Sequence, residues 1–209
     1  MIDLPASTYI HKRMPKEAFY KRLPLSTALK DKFVSDVESI FIENSLTMDN
    51  LRLTKESEVK EILLVVVTLK NQEFDCEVIE AIARQNPHKL VFLLIYEDER
   101  QLALYHGKLY RTSWLPETEI KLSANGFSLG EIWGGFIAQV ALYEERAESV
   151  EGMTIDERLT LQERIVKLET LFEKTEASAW KEQPPKKRFE LYSKMQKYKQ
   201  DLEGLMRNP

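Results

Sequence analysis

Cysteine occurs once in this 209-residue chain, at Cys76. One cysteine excludes an internal disulfide and any zinc site built on cysteine pairs. Histidine is almost as scarce. His11, His88 and His106 lie far apart, and none sits in an HxxxH or HExxH frame, so a metal site has no support. His88 and His106 read as exposed loop residues. No apolar stretch reaches the roughly 18–20 residues that span a bilayer. The leading MIDLPASTYIHKR has no apolar segment after a basic start, so it is not expected to act as a secretory signal. A cytoplasmic location is the resulting expectation. Phosphate-cradling loops are missing as well. There is no GxGxxG and no GxxxxGK[ST], and Gly130, Gly134 and Gly135 fall inside a helical pattern rather than between a strand and a helix. Cys76 opens a helical stretch, where the dipole can lower a thiol pKa, but nothing pairs it with a base. It reads as a passive half-apolar side chain. No catalytic residue, metal or cofactor is expected, which argues against an enzyme.

What the chain does contain is organised around Glu61–Lys70, EILLVVVTLK. Six consecutive apolar residues, Ile62 to Val67, are mostly branched, as in a strand buried on both faces. A polar turn over 71–75, a helical stretch over 76–84, the stop at Asn86–Pro87 and a second apolar run, Leu90–Tyr96, complete a βαβ unit with parallel strands. Upstream, residues 1–25 read as an extended arm with one helical turn near Lys16–Lys21. Ser26 is the expected N-cap of a helix whose apolar face is Leu29, Phe33, Val37, Ile40 and Phe41, with its exit at Asn44–Ser45. Leu51–Thr54 reads as a short strand. Downstream, Gln101–Tyr105 and Lys108–Trp114 form a hairpin closed at His106–Gly107, and Glu119–Leu122 an edge strand. Ser128–Glu145 is helical, with Gly134–Gly135 expected to allow close backbone approach, to the sheet first of all.

After Gly152 the pattern changes. Leu161, Ile165, Leu168 and Phe172 are spaced 4, 3 and 4, and Leu191, Met195, Tyr198, Leu202 and Leu205 repeat that heptad spacing. Pro184–Pro185 separates the two segments. The expected fold is therefore α/β: a small mixed sheet around the βαβ unit with flanking helices in residues 1–150, plus a C-terminal antiparallel helical hairpin, coiled-coil-like, in 151–209. Pairing the two seams leaves Trp180, Phe189, Tyr192 and Met206 beside or beyond the hairpin core. These are the candidate partner contacts.

The net charge of −4 hides a polarity. Residues 1–32 carry seven Lys/Arg against three acids, and residues 181–209 carry eight against four. Basic ends on an acidic body suit nucleic acid or an acidic partner. The candidate phosphate contacts are Lys12, Arg13, Lys16, Lys21 and Arg22 on the arm, and Lys186, Lys187 and Arg188 after the proline pair. Tyr9, Phe19, Tyr20 and Phe189 lie among them and offer rings for bases to stack on.

The order helix, strand, strand, helix, strand is also that of restriction-type nucleases. Such an enzyme needs an acid and a Glu-x-Lys on adjacent strands. Here the end of the central strand reads Thr68-Leu69-Lys70, and a hydroxyl cannot replace a carboxylate at a metal. A displaced site would have to draw on Asp49, Glu58, Lys60 or Lys70. This degenerate nuclease is the alternative reading.

One further set of features runs the length of the chain. It comprises the basic LPASTYIHKRMPKEAFY, a strand ending in Leu69-Lys70, an acidic helix with Ile79 and Ile82, and Asn86-Pro87 before LVFLLIY. A short hairpin then precedes Trp114–Leu122, and a helical pair ends in FELYSKMQKYKQDLEGL. In this order the chain resembles the bacterial family DUF4391. Proteins similar to it accompany helicases and DNA methyltransferases in restriction or antiphage defence loci. The resemblance carries over no catalytic residue. It implies a non-enzymatic accessory subunit that bridges a helicase or methyltransferase partner, or a second copy of itself, and possibly DNA.

Overall fold

The computed structural model describes residues 2–17, 25–145, 147 and 150–207. The chain divides into two compact units, Met1–Tyr143 and Glu144–Pro209.

The first unit is built on a mixed seven-stranded sheet. Its strands are β2 (Tyr9–Arg13), β3 (Val37–Thr47), β4 (Glu61–Leu69), β5 (Lys89–Tyr96), β6 (Glu99–His106) and β7 (Lys108–Arg111), in that spatial order, with β8 (Leu115–Pro116) also on β6. Only β4 and β5 run parallel, joined through α2 (Glu77–Gln85), and the other neighbours are antiparallel. The βαβ unit thus sits at the centre, as the apolar runs require. A separate parallel pair joins β1 (Ile2–Asp3) to β9 (Leu122–Ser123).

Each face of the sheet is covered by a different set of helices. Leu63, Val65, Val67 and Leu69 of β4, with Phe92 and Leu94 of β5, pack with Phe33 of α1 (Thr27–Asp36) and Val78, Ile79 and Ile82 of α2. The alternate residues, such as Ile62, Leu64, Val91, Leu102 and Leu104, are buried on the opposite face. There α3 (Leu129–Ala141) lies against β4, β6 and β7. Each fully buried Leu, Ile or Phe contributes on the order of 1.5–3 kcal/mol.

Two expectations are corrected. The helix capped by Ser26, whose hydroxyl accepts from the Leu29 amide, ends at Asp36 rather than near Asn44. Positions 33, 37, 40 and 41 fit both a helical face and a strand start. The branched and aromatic run Ile40–Phe41–Ile42 favours the pleated sheet, and β3 pairs with β4 over its whole length. Leu51–Thr54 is not a strand. Leu51, Arg52 and Leu53 close turns onto Thr47, Asp49 and Met48, with Arg52 at φ 53°. In the helix that holds Gly134–Gly135, a Cβ at Gly135 would meet nothing nearer than 3.9 Å, whereas Gly130 is approached closely. Its amide donates to Ser57 Oγ at 3.1 Å, and a Cβ there would meet Ser57 Cβ at 3.3 Å.

The basic arm is less free than an extended tail. Residues 2–13 form β1, a 3₁₀ turn and the edge strand β2. The helical turn read near Lys16–Lys21 is represented by Lys16 and Glu17; the rest of it lies outside the described residues. The hairpin 99–111 closes at Gly107, whose φ of +72° suits glycine. Of the edge strand read over 119–122, Leu122 pairs with Ile2.

The second unit is the antiparallel helical hairpin. Thr154 caps α4 (Ile155–Lys181), accepting from the Glu157 amide while the Glu157 carboxylate accepts from the Thr154 amide. That reciprocal bonding holds the Glu157 carboxyl below its usual range. Arg158 forks onto Glu145, and this pairing raises the guanidinium further. Three residues, Glu182–Pro184, turn the chain into α5 (Pro185–Arg207), and the two helices pack together.

Candidate interaction surface at the hairpin tip

The hairpin seams lie where the heptad spacing puts them. Leu161 and Ile165 are buried, while Leu168, Phe172, Leu191, Met195, Tyr198 and Leu202 are half-buried. The residues off the seam behave differently. Trp180 is 77% exposed and Phe189 is 73% exposed, and Tyr192 joins them at 41%. Trp180 ends α4, and Phe189 lies one turn into α5, so the short loop brings both to the closed end of the hairpin.

The same end carries Lys181, Lys186, Lys187 and Arg188, all exposed. Among the described residues none of these four has an ion-pair partner. The nearby acids in sequence are Glu182 and Glu190, leaving a cationic excess. The first turn of α5 has no acidic residue. Cations there oppose the helix dipole, so the helix holds them at a cost to its own stability. Lys186, Lys187 and Arg188 of the candidate phosphate contacts and Trp180, Phe189 and Tyr192 of the candidate partner contacts therefore share one end of the hairpin. Met206 does not belong to it. It is half-buried near the far end of α5, about 25 Å along the helix from Phe189.

The arm's cations sit in the other unit. Lys12 and Arg13 are exposed on β2, while Lys16 is half-buried with its ammonium donating to the Val37 carbonyl. Burial, and then Lys70, push the Lys16 pKa down. Lys21 and Arg22, like Phe19 and Tyr20, lie outside the described residues.

The four residues named for a displaced nuclease fall at two ends of the sheet, Asp49, Glu58 and Lys60 at the end where Thr47 pairs with Glu61, and Lys70 at the other. Asp49 is in the turn after β3, Glu58 and Lys60 precede β4, and Lys70 follows it, roughly 30 Å along the strand. Lys70 donates to the Val34 carbonyl and Lys60 to that of Ser57. Among the described residues no three His, Cys, Asp or Glu side chains are grouped to hold a metal ion. Cys76 is the N-cap of α2, and burial pushes its thiol up. No helix among the described residues is long and apolar enough to cross a membrane.

Sequence reasoning missed what the histidines do. His88 is half-buried, with Nδ1 at 3.2 Å from the Glu61 carboxylate, and His106 ends β6 half-buried rather than lying in an exposed turn. His11 sits between the rings of Tyr9 and Phe41, with centroids at 5.9 and 4.9 Å, and its Nδ1 is 2.8 Å from Glu43 Oε2. Its φ of 43° is left-handed, and the β2–β3 register shifts beside it. No periodicity encodes such a bulge. The one available signal was a histidine flanked by aromatic and basic residues in a short arm.

A family model described as domain of unknown function, DUF4391, matches residues 2–202. No curated protein and no solved structure matches the chain.

Proposed function

The chain belongs to the DUF4391 family, and from that premise we propose that it is a non-enzymatic accessory subunit of a bacterial DNA-processing or antiphage defence complex. In this reading the hairpin tip contacts nucleic acid, and the protein bridges it to a helicase or methyltransferase partner. The observation that carries the reading is the tip itself. Four cations without an ion-pair partner among the described residues and three exposed aromatic rings share one end of the hairpin. Cations attract phosphates, and flat rings stack on bases of any sequence. Rings this exposed are reached by unstacked bases, which favours a single strand over a duplex.

The test is fluorescence anisotropy with a labelled oligothymidine and a duplex of equal length. The single strand is expected to bind more tightly. Trp180→Ala combined with Phe189→Ala should weaken it about tenfold or more, since base stacking on an aromatic is worth about 1–3 kcal/mol. Equal binding of the duplex, or an unaffected double variant, contradicts the reading. The assembly is tested by purification at native expression. A helicase or methyltransferase is expected to co-purify, and a monomer without partner counts against it.

A further inference from the structure

The sheet face opposite α1 and α2 is not closed everywhere. On the two central strands, Val66, Leu93 and Ile95 are only half-buried, although their neighbours Val65, Val67 and Leu94 are fully buried. They floor a groove of about 580 Å³, with Leu64 beside them and Ile2 and Leu4 of the arm as a wall. That volume is in the range of small-molecule sites, about 300–1,000 Å³. The groove lies toward the carboxyl ends of the parallel pair, the end of an open α/β sheet where ligands collect.

The polar side chains lining it are Glu43, Asn44 and Tyr9. The β3–β4 register shifts between Ile42 and Asn44, which places Glu43 and Asn44 side by side in the groove wall. Glu43 Oε2 is taken by His11 Nδ1 at 2.8 Å, and among the described residues Oε1 has no partner. Asn44 is 7% exposed, and its amide is fixed by a chain of bonds. The Thr8 hydroxyl donates to the Pro5 carbonyl at 2.7 Å, so toward Asn44 it must accept, and it takes the Asn44 Nδ2 hydrogen at 2.8 Å. Among the described residues the Asn44 Oδ1 is thereby left as a second acceptor without a donor. Two adjacent acceptors with no described partner, one of them anionic, above a branched aliphatic floor suit a donor-bearing cation with an apolar body. Bulges on both strands and a left-handed histidine mark the same place, where local strain often accompanies a binding site.

We propose that this groove is a binding site for a small organic cation, an amine or amidine carried on an apolar ring or chain. The nitrogen donates to Glu43 Oε1 and Asn44 Oδ1, and the body lies on Val66, Leu93 and Ile95. The site stands apart from the hairpin tip and does not rest on the function proposed for it.

Benzamidine, benzamide and benzoate present the same ring with a cationic, a neutral and an anionic head, and titration into the full-length protein by amide-resolved NMR separates them. Benzamidine is expected to shift the amides of β3, β4 and β5 around the groove, and benzoate to leave them unmoved. Glu43→Gln, which keeps an oxygen for His11, should weaken benzamidine at least tenfold. Val66→Phe, which fills the groove without touching either acceptor, should abolish binding in a protein whose spectrum stays dispersed. Benzoate binding as well as benzamidine, an unaffected Glu43→Gln, or no saturable benzamidine binding overturns the proposal.

Discussion

Phe92 in β5 is 0% exposed and Trp180 at the end of α4 is 77% exposed. The difference follows from what each element can pack on. β5 is an interior strand with a neighbour on either side, so Leu90, Val91, Phe92 and Leu94 are buried. The hairpin has one seam per helix, and no described residue of α5 is buried. A two-helix unit has too little interior to hide three more aromatics. The α/β unit buries a large apolar core and exposes Phe127, Tyr9 and Ile10 at its surface, while the hairpin has a thin seam and displays Trp180, Phe189 and Tyr192 together.

Substitutions can break that comparison. Phe92→Ala should destabilise the α/β unit by about 3–5 kcal/mol, because it leaves a cavity in a packed layer. Trp180→Ala and Phe189→Ala should each stay within about 0.5 kcal/mol of the parent in chemical denaturation. A large loss at Trp180 would mean that the tip is packed rather than displayed.

Truncation after Gly152 sharpens the contrast. Residues 1–152 should remain soluble and melt cooperatively while losing nucleic-acid binding. Unfolding of the fragment would show that the hairpin belongs to the core.

Smaller effects follow from single bonds. Thr154→Ala removes the cap of α4 and should cost about 1 kcal/mol, read as lower helicity and earlier melting of the hairpin signal. Smaller still is the Lys32–Asp75 pair, which tethers the residue before the N-cap of α2 to α1. The hydrogen bond from Lys32 holds the Asp75 carboxyl below its usual range. A depressed carboxyl adds stability above its unfolded value, and that stability is lost as pH falls through the folded one. Asp75→Asn should therefore lower the melting temperature slightly at neutral pH. The gap should close as pH falls below about 4, the unfolded carboxylate range.

Much of the fold was legible because Ile62–Val67 and Leu90–Tyr96 are too short and too branched to be anything but buried strands. The α1–β3 boundary was not, since Phe33, Val37, Ile40 and Phe41 satisfy two periods and only pairing with β4 decides between them. At the tip, the aromatics stood out as residues beyond a heptad seam and the cations as a charge run. Their union depends on a three-residue connection closing the hairpin. The groove was illegible throughout. It depends on register shifts in β2 and β3 and on which atom of Asn44 faces Thr8, and none of these leaves a spacing in the sequence.

The salt dependence of single-strand binding tests the central claim most directly. On a log–log plot each phosphate contact contributes about 0.7 to the slope for a single strand. Replacing Lys186, Lys187 and Arg188 together by Ala should reduce the slope of the full-length protein by about 2 while leaving its melting temperature unchanged or higher. Binding that is flat in salt, or a slope the triple variant shares with the parent, would contradict the assignment of the hairpin tip to nucleic acid.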